Sequence, residues 1–345
     1  MTRARSPAGR RRRSALLLAL LLGALALGAW HAEELHRLPD VLAAVEWPWL
    51  AAALAANAAS ILLRACAFAV VLRHALAGAT PALRHVVSSF AAGVMANALL
   101  PARAGEVGRL VVLAPHLPSG SDSLLTAGGA IAAQHLLDAF PQAVLVAFVL
   151  SETGVPAWAF LPLLVTVGGG LAALIAAVVW MRRRETSESP SAERALAAIL
   201  RQLEAGLRIY RTPTPLLAAL LLQCAGWSGE LAGILFAFRA FGIDAPGAAA
   251  GAVLLLTNLA TLLPLWPGNV GLFQAAVAAP LLASGVGFGH AILFGLGLQA
   301  IEVTTAVALG APALAYEGVS LAVLGESAPP GEQRDGTARG DRPPA

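Results

Sequence analysis

Eight apolar segments, at 14–30, 48–72, 86–113, 124–150, 157–181, 214–241, 247–285 and 289–318, take up most of this 345-residue chain. About 20 apolar residues cross the hydrocarbon core of a bilayer as a helix. In hydrocarbon every backbone polar group must pair internally, so such a chain folds as a bundle of membrane helices. The composition agrees, with 58% hydrophobic residues and 12% charged, against roughly 25% charged in a soluble domain. A soluble enzyme, a disordered chain and a nucleic-acid binder are excluded.

Two segments are not simple spans. Those at 86–113 and 247–285 are interrupted near their middles. The first interruption reads Leu99-Leu100-Pro101-Ala102-Arg103-Ala104-Gly105-Glu106-Val107-Gly108, and the second Leu262-Leu263-Pro264-Leu265-Trp266-Pro267-Gly268-Asn269-Val270-Gly271. They share L-L-P-x-x-x-G-x-V-G at an offset of 163 residues. Pro and Gly at fixed spacing in two broken apolar segments indicate an internal repeat.

Charge sets the expected topology, because Arg-rich loops stay in the cytoplasm. Arg3, Arg5 and Arg10 to Arg13 hold residues 1–13 inside, and the polar stretch 182–213 with its seven Arg belongs there too. Segment 14–30 reads as an uncleaved signal anchor, although Ala24-x-Ala26 resembles a cleavage site. For 182–213 to lie inside, segment 86–113 must contribute an even number of crossings, as a re-entrant element does. The expected fold is all-α and polytopic, with about six full spans and two Pro/Gly-broken re-entrant elements. Three crossings separate these elements, so they face opposite ways, as in the inverted repeats of transporters.

The expected organisation is a basic cytoplasmic N-terminus at 1–13, an integral membrane domain at 14–320 and a disordered cytoplasmic tail at 321–345. Within 182–213, Leu196, Ile199, Leu200, Leu203 and Leu207 form the apolar stripe of an amphipathic helix, with Glu204 and Arg208 as an i,i+4 pair. All 23 basic residues are Arg, a coding bias expected of a GC-rich bacterial genome. The expected location is therefore the bacterial cytoplasmic membrane.

Charge inside a span is expensive, so the few such residues mark candidate sites. The first interruption carries Asn97, Arg103, Glu106 and Arg109. Glu106 is three residues from each Arg, and two Arg against one Glu leave a positive excess suited to a phosphate. Arg64 lies mid-span and either joins that site or pairs with an acid. Asp138, Glu230 and Glu302 are the candidate partners, and are also candidates for a proton relay or for simple charge balance. Gln134 and Asp138 share a helix face beside His135, and Gln299 and Glu302 share another. The second interruption offers only Asn258, Asn269 and Gln274, an amide lining. Cys66 and Cys224 form no disulfide framework or metal-ligand spacing, so no metal or cofactor is expected.

The pattern Asn97-x-x-Leu100-Pro101-Ala102-Arg103-Ala104-Gly105-Glu106-x-x-Arg109, with Pro267-Gly268-Asn269-Val270-Gly271-x-Phe273-Gln274-Ala275-Ala276 downstream, resembles the membrane region of lysylphosphatidylglycerol synthases over about residues 12–320. The motif positions carried over are Asn97, Pro101, Arg103, Gly105, Glu106, Arg109, Pro267, Gly268 and Gly271. Members often have Glu-Arg where this chain has Gln134-His135, and Glu where it has Gln274. The resemblance implies a membrane region that moves a polar lipid between leaflets. A separate soluble domain makes the aminoacylated lipid in such synthases, and that activity is not carried over here.

The expected function is thus a non-enzymatic, flippase-like translocator of a polar, phosphate-bearing lipid. Its expected headgroup ligands are Arg103, Glu106, Arg109, Asn97 and Arg64, with Pro101, Gly105, Pro264, Pro267, Gly268, Asn269 and Gly271 shaping the breaks. The alternatives are a membrane transferase on a lipid-linked substrate, needing Glu106, Asp138 or Glu302 as base, and an accessory subunit of a lipid-synthesis enzyme.

Overall fold

A computed structural model of the chain describes residues 44–77, 80–100, 104–118, 121–152, 204–261 and 271–326, with 168–170, 172, 176 and 179. The expectations for residues 1–30, Pro101, Arg103, Pro264, Pro267, Gly268, Asn269, most of 157–203 and the tail beyond 326 lie outside the described residues.

Four described helices are long and apolar enough to cross a bilayer. They are α1 (Trp47–Ala75), α4 (Ser121–Glu152), α5 (Pro213–Ala240) and α8 (Phe288–Glu317), each at an expected span. Their ends follow local chemistry. Pro sits in the first turn of α1 and α5, where its missing N–H leaves no intrahelical bond unmade. Gly318 ends α8 at φ +65°, a conformation that favours glycine, and its N–H returns to the Leu314 and Ala315 carbonyls.

Each interrupted segment is a pair of shorter helices. The first is α2 (Leu83–Leu99) and α3 (Ala104–Leu113), with Leu100 extended between them. The second is α6 (Gly247–Thr261) and α7 (Leu272–Ala283). A shift of 163 carries Leu83–Leu99 onto 246–262, which is α6 to within a residue at each end. It also carries Trp47–Ala75 onto 210–238 and Ser121–Glu152 onto 284–315, close to α5 and α8. α7 lags most, starting five residues after the position that the shift of Ala104 would give. The repeat is therefore a four-helix unit of long, short, short and long helices, wider than the ten-residue motif.

The two units run in opposite directions. The equivalent helices α1 and α5 pack antiparallel: Glu46 N–H donates to the Ala240 carbonyl at 2.9 Å, Ser60 faces Gly229, and Arg64 faces Gly226. Gly229 and Gly233, a Gly-x-x-x-Gly pair, let the backbones approach, so that a Cβ at either would lie 3.4 Å from the Ala56 or the Ala53 carbonyl oxygen. The broken helices are exchanged between units. Gly310 of α8 seats against Ala91 and Met95 of α2, and Gly251 of α6 seats against Leu145 and Val149 of α4. Those two contacts are counterparts under the repeat.

Both broken elements return to the face they start from. His85 at the start of α2 and His116 just beyond α3 both bond Glu317, at the C-terminal end of α8. The other element starts just past Phe241, which packs edge-on to Phe294 near the N-terminal end of α8, and leads through 284–287 into that same end. A 30-residue helix is about 45 Å long. The two elements thus open at opposite ends of one long helix.

Two expectations change. Order continues past residue 321: α9 (Leu321–Glu326) buries Leu324 completely against Ala96, Gly108 and Val112. Glu204 pairs with Arg211 at 3.4 Å instead of Arg208, because the chain tightens into a 3-10 turn at Leu207–Arg211 and rotates the later side chains. That turn buries Tyr210, whose hydroxyl donates to the Ala133 carbonyl at 2.7 Å; burial raises its phenol above the usual range.

Candidate functional site

The site begins at the first break. The Asn97 side-chain oxygen accepts the Gly105 N–H at 2.8 Å, so the last turn of α2 caps the start of α3. α2 and α3 fold back so tightly there that a Cβ at Gly105 would lie 2.2 Å from the Gly93 carbonyl oxygen. Asn97, expected to bind a headgroup, has this capping role and remains exposed. The second break has a parallel device: the Gln274 side chain accepts the Gly271 N–H, with Gly271 at φ +91°, and donates to Gln299 at 2.6 Å. Asn258 turns instead to its own helix, donating to the Leu254 carbonyl at 2.9 Å.

The tight fold delivers Arg109 to the interior. It is 6% exposed, with its guanidinium 3.9 Å from the Phe90 ring centroid. Arg109 Nη1 donates to Gln134 Oε1 at 3.2 Å and lies 3.7 Å from Glu106 Oε2. Gln134 is a hub: its amide donates to the Arg64 carbonyl at 2.9 Å and reaches Gln223 at 3.5 Å. Gln223 donates in turn to Asp138 Oδ1, as does the Trp227 indole at 2.7 Å. Arg109–Gln134 and Gln274–Gln299 are the same link in the two units, each joining the second short helix to the last long one across 25 residues.

His135 stands between two carboxylates, 3.1 Å from Glu106 and 3.7 Å from Asp138. Its side chain is 43% exposed, the most open of this group. Arg64 pairs with Glu230, one of its expected acid partners, at 2.8 Å and lies over the Trp227 ring. Glu302, partly buried on α8, lies within electrostatic reach of Glu230.

Arg103, one of the two Arg behind the positive excess expected at the break, lies outside the described residues, and the fold adds carboxylates to the rest. Asp138 and Glu230 come in from other helices, so the described acids Glu106, Asp138 and Glu230 face Arg64 and Arg109, with His135 between two of the acids. Arg109 lies against Glu106 and Arg64 against Glu230, and among the described side chains of the network His135 is the most exposed. The fold also adds Gln223 and Trp227, which the sequence reading passed over. A glutamine in mid-span, 1% exposed, was the available signal.

A family model described as the lysylphosphatidylglycerol synthase TM region matches residues 15–310. No curated protein and no solved structure matches the chain.

Proposed function

The chain belongs to the lysylphosphatidylglycerol synthase TM-region family, a multi-pass membrane family, and from that premise we propose that it translocates a polar, phosphate-bearing lipid between leaflets of the bacterial cytoplasmic membrane. The observation that carries the reading is a polar network inside the bundle whose most exposed described side chains are His135 and Glu106, beside the first break. An otherwise buried network of this size is costly in hydrocarbon unless it serves a path for polar groups. The headgroup would meet His135, Glu106 and the exposed Asn97, with Arg103 of the motif supplying a cation for phosphate. Arg109 and Arg64 hold the wall behind it. The inverted repeat supports the same reading, since opposed broken helices give a path two equivalent ends. A lipid-synthesis enzyme is the natural partner.

Headgroup exposure in proteoliposomes tests this. Arg103→Ala should slow translocation about tenfold, the loss expected when a charge-assisted hydrogen bond goes. Equal rates for wild type and variant, or no rate above empty liposomes, would refute it. His135 between two carboxylates favours one other reading, a proton donor beside Glu106 or Asp138 as base in a transferase acting on a lipid-linked substrate. Product formed from a lipid-linked donor, and lost in His135→Asn, would replace translocation with that activity.

A further inference from the structure

At the mouth of the first broken element, three side chains from three separate elements converge. His85 stands at the start of α2, His116 in the 3-10 turn Ala114–His116 after α3, and Glu317 at the end of α8. His85 Nδ1 lies 2.9 Å from Glu317 Oε1, and His116 Nε2 lies 2.7 Å from Oε2. The two imidazoles stack with centroids 3.7 Å apart. One ligand atom from each residue falls within a common span of 4.8 Å.

We propose that His85, His116 and Glu317 form a Zn2+ site that clips both ends of the first broken element to the end of α8. Two imidazoles and a carboxylate are a zinc-binding set, and no soft sulfur ligand is present to favour another metal. Zinc bonds of about 2.0–2.2 Å at tetrahedral angles place ligand atoms about 3.4 Å apart. The two His–Glu separations need to widen by about half an ångström, and the stacked rings, 22° apart, must turn out of their stack so that both lone pairs meet at the ion. Charge argues the same way. The Glu317 side chain is 3% exposed, and the partners described for it are these two imidazoles. A buried carboxylate is stable only beside a compensating charge, and Zn2+ supplies one. The fold holds the set in place, because both histidines sit within three residues of a helix end.

Arg84 sharpens the assignment. Its Nε donates to His85 Nε2 at 3.2 Å, which leaves the proton of a neutral His85 on Nδ1. Metal at Nδ1 would shift that proton to Nε2, where it opposes the Arg84 donor. Arg84 is exposed and can swing away, so it weakens the site without closing it. Arg84→Gln offers an acceptor for the same proton, and should tighten binding about tenfold, the usual size of an outer-shell effect.

The test uses tag-free, full-length protein in detergent, incubated with Zn2+ and desalted. Elemental analysis should find one zinc per chain in wild type and none in His85→Asn/His116→Asn. A Co2+-loaded sample should show the intense visible bands of a four-coordinate ion in wild type alone. Gel filtration and metal-free Tm confirm that the variant is folded; if it is not, Glu317→Gln and the Arg84→Gln affinity shift carry the test. Zn2+ should also raise the Tm of wild type and not that of the variants. No zinc retained by wild type, equal zinc retained by the folded variants, or weaker binding in Arg84→Gln would overturn the site.

Discussion

Gly105→Ala should destabilise the folded chain by about 3 kcal/mol, the upper end of what overpacking brings. The added methyl would sit 2.2 Å from the Gly93 carbonyl oxygen and 2.5 Å from the Asn97 side chain. The Gly93 oxygen is backbone and cannot turn aside, and moving Asn97 removes the cap on α3. The clash therefore spreads to the approach of α2 and α3, and Arg109 moves with it. Tm in detergent should fall clearly, with a smaller monodisperse fraction. Gly128→Ala is the control: nothing lies within 4 Å of a Cβ there, and alanine is the better helix former by roughly 0.5–1 kcal/mol. That variant should match or exceed wild type. Equal Tm values for the two variants would show that the α2–α3 approach is looser than described.

Glu230→Leu should be comparably damaging, by about 3 kcal/mol, because it strands Arg64 inside the bundle. Both side chains are 20% exposed, which puts the effect at the low end for broken buried pairs. Arg64→Met/Glu230→Leu should recover most of the loss, since replacing both partners leaves no orphan charge. The Trp227 ring, now under the Arg64 guanidinium, can pack on methionine instead. Thermal unfolding of the wild type, the two single variants and the double variant gives the coupling energy directly. A double variant as unstable as Glu230→Leu would show that the two residues act separately.

Gly105 illustrates what a sequence reading captures and where it stops. The Pro and Gly spacing located both breaks, and α2–α3 and α6–α7 flank them. It did not reveal that Asn97 bridges the first break as a cap, because that depends on how sharply α3 folds back. The charges were legible one by one, but their partners on other helices were not. Arg103, Glu106 and Arg109 lie close in sequence and read as a positive site, while Asp138 and Glu230 reach the same place on α4 and α5. His85, His116 and Glu317 show the same limit, since separations of 232 and 201 residues leave no motif to find.

By itself the sequence determined the solvent of this protein, the four described long spans and the two places where the apolar segments break. Those follow from local rules, since each apolar stretch must pair its own backbone polar groups, and Pro combined with Gly marks the breaks where Pro141 and Pro312 alone leave α4 and α8 continuous. It also disclosed the repeat, because a duplicated unit leaves its trace in spacing. The tertiary structure alone decided which charge meets which. Partners in a helical bundle are set by the rotation and crossing of helices. Those depend on small residues such as Gly93, Gly105, Gly226 and Gly229, whose contacts cross helix boundaries. That packing set Arg64 against Glu230 and Arg109 against Gln134 and Glu106, and left His135 the most exposed described side chain of the group.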